Sequence, residues 1–266
     1  MTNATTFKRA VTIGYGALCY LVFLVAFLYA IGFVGDIAVP RSVDHAIAAP
    51  VGQAVVVNTL LLALFAIQHS VMARPAFKRW WTRVVPQQIE RSTYVLFASL
   101  LLLLLYWQWR SLPAEIWDID IPVLRQGLWA LFWAGWVTVL ATTFMLNHFE
   151  LFGLRQVYLV WRGKLHSDTG FRTPLLYRVV RHPLMLGFIV AFWATPTMTA
   201  GHLMFAVATA GYILIAVQFE ERDLVAQLGP QYSSYRREVP MLVPRARRRR
   251  PTLPQVEVRA GSNSRT

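Results

Sequence analysis

The stretch VTIGYGALCYLVFLVAFLYAIGF, residues 11–33, runs for 23 positions without one charged side chain. As a helix it would be about 34 Å long, enough to cross a hydrocarbon core about 30 Å thick. It is too long for the apolar core of a signal peptide, and no small-residue cleavage site follows it cleanly. It reads as a retained transmembrane helix. Three more runs meet the same standard: residues 51–73, 93–109 with an extension to 112, and 126–146. Two shorter runs follow, 183–196 extending to 199, and 202–219. The linker 195–201 carries no charge and holds Pro196 and Gly201, which reads as a tight helical hairpin. The expected fold is therefore all-α. It is a polytopic integral membrane bundle of about six transmembrane segments, the last two a hairpin, with cytoplasmic C-terminal helices beyond them.

Composition agrees. Of 266 residues 56% are hydrophobic and 15% charged, against about a quarter charged in a soluble domain. The core of such a chain faces lipid rather than water. The formal net charge of +13 could mark nucleic acid, a membrane surface or acidic substrates. The position of the charges decides, because they fall in the gaps between apolar runs. The segments before residue 11, 74–91, 148–182 and 220 to the end hold 2, 5, 6 and 10 Lys/Arg, together 23 of the 26. The opposite loops, 34–50 and 113–124 with their flanks, hold only Arg41, Arg110 and Arg125. Basic loops stay on the cytoplasmic side, so both termini are expected there, in a bacterial inner membrane if the organism is bacterial. The partners expected are membrane lipids and a small molecule, not nucleic acid, and the oligomeric state stays open. Cys19 is the single cysteine and lies inside the first apolar run, where a thiol is inert packing rather than a nucleophile.

Residues 1–244 read as one membrane domain, with a ligand-binding core in 147–244. Two cytoplasmic segments are too long to be connectors, 148–182 and 220–244. In the second, EERDLVAQLGPQYSSYRREVPMLVP, Leu224 and Leu228 share a helical face and Gly229-Pro230 stops the helix. A further helical stretch at 231–239 carries Tyr232, Tyr235 and Arg236. The tail 245–266, with RARRRR at 245–250, reads as disordered. Its arginines either hold anionic headgroups or simply set topology.

The chain lacks a phosphate-binding glycine loop, a cysteine-pair metal site, a haem attachment motif and a GxSxG elbow. Gly14-Tyr15-Gly16 lies inside a membrane run with no strand before it. None of His45, His69, His148, His166, His182 and His202 pairs with another at ligand spacing, so no metal is expected. What remains is four polar sets at the cytoplasmic ends of apolar runs, positions that are costly in lipid. They are Gln68, His69, Ser70 and Arg74; Asn147, His148 and Glu150; Tyr177, Arg178, Arg181 and His182; and Glu220, Glu221, Arg222 and Asp223. On this topology all four share one membrane face. They form either a polar chamber roofed by the C-terminal helices or a ring of salt bridges that fixes helix ends.

The last two sets carry a motif. RHP, LMLG, a hairpin, then FEERDL and LGPQYSSYRREVPMLVP resemble the isoprenylcysteine carboxyl methyltransferase family and the wider group of small membrane methyltransferases. Arg181, His182, Pro183 and Gly187 match its first block. Glu220 and Glu221 match its acidic pair, and Gly229, Tyr232, Tyr235, Val239 and Pro240 match its end block. Met185 stands where that family usually has Tyr. QHSVMARPAFKRWW, NHFELFGLRQVYL and RHPLMLGFIVAFWATPTMTAGHL are similar to stretches of the bacterial methanethiol S-methyltransferases, and the nuclear-envelope protein nurim also resembles this group.

The resemblance implies S-adenosyl-L-methionine as methyl donor and a small thiol, methanethiol becoming dimethyl sulfide, as acceptor. Other acceptors, or a non-catalytic scaffold of the nurim type, are the alternatives. It implies donor contacts from Tyr177, Arg181, His182, Pro183, Gly187, Glu220, Glu221, Tyr235 and Arg236. Arg181 suits a carboxylate through its bidentate fork, and Tyr177 or Tyr235 suit adenine or the sulfonium. A thiol attacks as thiolate, so the site must either supply a base or stabilise the thiolate, and the base candidates are His148, Glu150 and then His69. Each of these could instead brace a helix end.

Overall fold

A computed structural model describes residues 3–164 and 173–244. His166 and the basic tail after Pro244 lie outside the described residues. Five helices are long and apolar enough to cross a membrane: α1 (Asn3–Gly35), α2 (Val51–Ala73), α4 (Gln87–Gln108), α5 (Pro122–Met145) and α9 (Ala200–Leu228). Short helices α3 (Pro75–Trp81), α6 (His148–Leu151) and α7 (Leu154–Trp161) lie between them, and α8 (Pro183–Trp193) and α10 (Pro230–Glu238) complete the set. In α2 only 11% of the most apolar window is buried by protein. Its exposed Val56, Leu60, Leu64 and Ile67 need lipid as solvent. The chain is a multi-pass helical membrane protein.

The aromatic core sits at one end of the bundle. Phe33 of α1, Tyr106 of α4, Phe132 and Trp136 of α5, and Phe205 of α9 interlock there with Trp109. Two glycines bring α5 and α8 together. A Cβ on Gly187 would lie 2.8 Å from the Gly135 carbonyl oxygen and 3.0 Å from the Val139 nitrogen. Such backbone-to-backbone approach is how small residues tighten helix pairs where no hydrophobic effect acts between them.

The hairpin differs from expectation. α8 ends after 11 residues, about 16 Å. Pro196 lacks an N–H and cannot extend it, and Thr197–Thr199 forms a strand, β2. β2 pairs antiparallel with β1 (Glu115–Asp118), in the loop between α4 and α5, with Asp118 opposite Thr197 and Glu115 opposite Thr199. The tip therefore reaches the layer of that loop through extended chain. Three helix bounds also shift. α1 and α4 begin at Asn3 and Gln87, earlier than their charge-free runs, and α9 continues unbroken to Leu228. Glu220 and Glu221 thus stand on the rigid end of a membrane helix. Gly229, at φ 57° and ψ −128°, takes a conformation open to glycine, and Pro230 opens α10.

Candidate functional site

His182 is the N-cap of α8 and Pro183 its first residue, so the motif's proline fixes where the helix starts. The chain just before α8 is stitched to the end block. The backbone N–H of Arg181 donates to the Pro240 carbonyl (2.8 Å) and that of His182 to the Met241 carbonyl (3.1 Å). The side chains then close a lock on one carboxylate. Arg181 Nε donates to Glu221 Oε1 at 2.6 Å, His182 Nε2 lies 3.2 Å from the same oxygen, and Arg236 Nε is 3.1 Å from Oε2. Glu221 is 2% exposed. A buried carboxylate held by three cationic or donor groups is compensated, and removing one partner leaves a buried charge unpaired.

Arg181 Nη1 also donates to the Arg236 and Val239 carbonyls. The Nε and Nη1 of its fork are therefore engaged inside the protein. Its observed contacts join α8, α9 and α10. Tyr235 adds a clasp, its phenol donating to the Tyr177 carbonyl at 2.6 Å. Burial pushes the Tyr235 phenol up to about 12. Burial, and then the Glu220 charge, push Tyr177 up as well. Both stay protonated donors at neutral pH. Gly187 belongs to the α5–α8 crossing rather than to this cluster.

The groups left open around the lock are different. Glu220 has a side chain 50% exposed, with His182 Nδ1 at 3.6 Å from its Oε2. Arg236 is 49% exposed. Along α9, Tyr212 and Glu221 are nine residues apart, about 180° around the helix, whereas Glu220 falls between those faces. Glu221 thus faces Arg181 and α10, Tyr212 faces α2, and Glu220 borders both.

The Tyr212 face holds the first predicted set. Ser70 Oγ is 3.1 Å from the Tyr212 hydroxyl, and Arg74 donates to Asp223 at 3.0 Å. These two contacts zip α2 onto α9. His69 sits in the same seam, stacked on Phe65 with ring centroids 5.2 Å apart. The Tyr94 hydroxyl is 3.0 Å from each of its ring nitrogens.

His148 and Glu150 lie elsewhere. His148 is 6% exposed, stacked on Phe144 and boxed by Phe149, Phe152 and Tyr20. Its Nδ1 is 2.8 Å from Thr143 Oγ1 and its Nε2 2.8 Å from the Tyr20 hydroxyl. Thr143 already donates to the Leu140 carbonyl at 2.7 Å, so it accepts from Nδ1–H, and Nε2 accepts from Tyr20. Burial lowers the His148 pKa. Glu150 accepts from Asn147 Nδ2 at 2.9 Å and pairs with Arg155. These contacts tie α5, α6 and α7 to α1. Sequence reasoning missed Tyr20, Thr143, Tyr94 and Tyr212. Each sits inside an apolar run, where a tyrosine or threonine looks like ordinary packing.

One end of a multi-pass bundle thus carries a buried arginine–glutamate–histidine lock bordered by half-exposed acid, base and phenol groups: a membrane protein with a compact polar cluster at the ends of its helices. A family model described as NnrU protein matches residues 57–224. The methanethiol S-methyltransferase of Mycobacterium tuberculosis is 73% identical over 237 residues, 89% of this chain and 97% of that protein. Methanethiol S-methyltransferase 2 of Bradyrhizobium diazoefficiens is 56% identical over 245 residues, 91% of this chain and 94% of that protein. Nurim of Rattus norvegicus is 30% identical over 175 residues, 62% of this chain and 65% of that protein. The chain belongs to the NnrU protein family, together with these methanethiol S-methyltransferases. No solved structure matches it.

Proposed function

We propose that the protein methylates methanethiol to dimethyl sulfide, with S-adenosyl-L-methionine as donor, at the cytoplasmic face of a bacterial inner membrane. The observation that carries this reading is the likeness to a relative named for methanethiol methylation over 89% of the chain. The site's chemistry fits the donor. Half-exposed Glu220 suits an ammonium or ribose hydroxyls, and Arg236 suits a carboxylate. His182 and the Tyr177 and Tyr235 rings offer hydrogen bonds and π surface to an adenine or a cationic sulfur. Bound there, S-adenosylmethionine would supply a methyl group on a sulfonium, open to in-line displacement by a thiolate. The chain's own part is to hold α10 over the site through Arg181 and Glu221, to exclude water, and to orient the two sulfurs. Residues 147–244 form the donor-binding core, and the tail after Pro244 lies beyond it.

Purified protein should bind S-adenosylmethionine by calorimetry and release dimethyl sulfide from methanethiol in headspace chromatography. Donor binding without a volatile product would assign another acceptor. No binding by well-folded protein would sink the enzyme reading in favour of a scaffold. The charge bias supports cytoplasmic termini, and a C-terminal reporter active on the periplasmic side would overturn that placement.

A further inference from the structure

Polar groups also gather at the end of the bundle opposite the lock, about 30 Å along α9 from Glu221. Two adjoining cavities open there along the loop between α1 and α2, and Pro40 lines both. The first, about 420 Å³, is walled by Tyr29, Leu103, Tyr106 and Trp107. The Tyr29 and Tyr106 rings stack with centroids 5.2 Å apart. Trp107 is 61% exposed at the end of α4, the depth at which tryptophan meets lipid headgroups. Arg41 is the only charged residue in this lining. One of its terminal nitrogens donates to the Trp107 carbonyl, and no carboxylate pairs with it among the described residues.

The second cavity, about 850 Å³, has the opposite character. Asp36, Asp44 and Glu115 line it against a single guanidinium, Arg125, which is already paired with Asp118 at 3.2 Å. His45, also in the lining, stands 2.8 Å from Asp36. The lining is net negative whether or not that imidazole is protonated. Asp44 accepts from Thr199 at 2.6 Å and faces His202 at 3.4 Å, whereas the Glu115 carboxylate has no partner among the described residues. A second observation is independent of these acids. Thr195 lines the cavity and is 4% exposed, and its Oγ1 is buried with no hydrogen-bond partner. Trp129 adds an aromatic face to the same lining. A free carboxylate, an unused hydroxyl oxygen and an indole face are what an organic ammonium group requires.

We propose that the two cavities form one binding site for a zwitterionic phospholipid whose headgroup ends in an ammonium. The order of the parts carries the assignment. An apolar slot, a guanidinium without a carboxylate and an acidic cavity follow one another across Pro40. An acyl chain, a phosphate and an ammonium follow one another in such a lipid. The chain lies against Tyr29, Leu103 and Trp107, the phosphate meets the Arg41 fork, and the ammonium enters the cavity beside Glu115, Thr195 and Trp129. An anionic lipid without an amine would meet the net negative lining. A free amine would leave the slot and Arg41 unused. The site stands apart from methyl transfer and does not rest on that reading.

The test is native mass spectrometry of the full chain in detergent, titrated with phosphatidylethanolamine, phosphatidylglycerol or soluble glycerophosphoethanolamine. The wild type should retain one phosphatidylethanolamine about tenfold or more in preference to phosphatidylglycerol. Glu115→Gln, on an exposed strand, should erase that preference while leaving phosphatidylglycerol retention no weaker. Arg41→Gln should weaken retention of both lipids about tenfold or more. Should Arg41→Gln fail to fold, Glu115→Gln still decides the matter. Asp120→Asn, an exposed acid of the same loop outside the cavity, should keep the wild-type preference, and a loss there would mark bulk surface charge and overturn the site. Equal retention of the two lipids by the wild type, or an unchanged preference in Glu115→Gln, would overturn it as well. Soluble glycerophosphoethanolamine held as tightly as the lipid would reject the acyl slot and reassign the cavity to a free amine.

Discussion

Arg181→Ala and Arg236→Ala should fail in different ways, although both remove an arginine from Glu221. Arg181 and Glu221 have side chains 8% and 2% exposed. Removing Arg181 leaves a buried carboxylate short of its Nε donor and frees the Arg236 and Val239 carbonyls. Breaking a buried pair from one side costs about 3–5 kcal/mol. That loss falls on the docking of α10, which carries Tyr235 and Arg236 over the site. Donor affinity should drop with it, by roughly 100- to 4,000-fold if α10 must be re-docked on binding. Arg236 is half exposed, and its pair with Glu221 contributes at most about 1 kcal/mol to stability. If it contacts the donor carboxylate, its loss costs about 1.5–3 kcal/mol of binding with little change in melting temperature. Calorimetry of S-adenosylmethionine binding, thermal unfolding and the rate of tryptic cleavage at Arg237 separate the cases. Arg237 is already exposed, so cleavage there reports the unfolding of α10: Arg181→Ala should speed it, and Arg236→Ala should not. An Arg181→Ala protein with a fully protected α10 and lost donor affinity would refute the lock, and would mean that Arg181 grips the ligand itself.

Gly187→Leu should separate α8 from α5, because the new Cβ meets backbone at 2.8 and 3.0 Å and backbone cannot swing aside. A stability loss of about 1–3 kcal/mol or more is expected, read as a lower melting temperature together with weaker donor binding, since Pro183 and His182 would move with the helix. An acid titration tests the His148 brace. Burial depresses its folded pKa, so its unfolded state binds more protons below about 6.5. The stability that it confers is complete above that pH and is lost as pH falls toward the depressed value. His148→Gln should flatten the dependence of melting temperature on pH between 7 and 5, and an unchanged slope would assign the acid sensitivity to another group.

The sequence by itself determined the class and most of the helices. Charge-free runs near the length of a bilayer crossing have one physical solution, a helix whose backbone is satisfied internally, and α2 matches its run residue for residue. The motif also named the partners in the lock, because RHP, the Glu220–Glu221 pair and the end block read as one pattern. Their roles were not legible there. Arg181 looked like a ligand grip, and the fold shows its Nε and Nη1 bonded within the protein. Gly187 reads as part of the motif, and the fold places it at the crossing of α5 and α8. The strand pairing at the hairpin tip joins Glu115–Asp118 to Thr197–Thr199 across about 80 residues, with no local signal in either segment. The choice among His69, His148 and Glu150 was equally open, since each is a polar residue at the end of an apolar run. Only the tertiary structure sets Tyr20 and Thr143 against the His148 imidazole and Phe65 and Tyr94 around that of His69. Which groups face a ring nitrogen depends on partners supplied by other helices, and no periodicity along one helix records that.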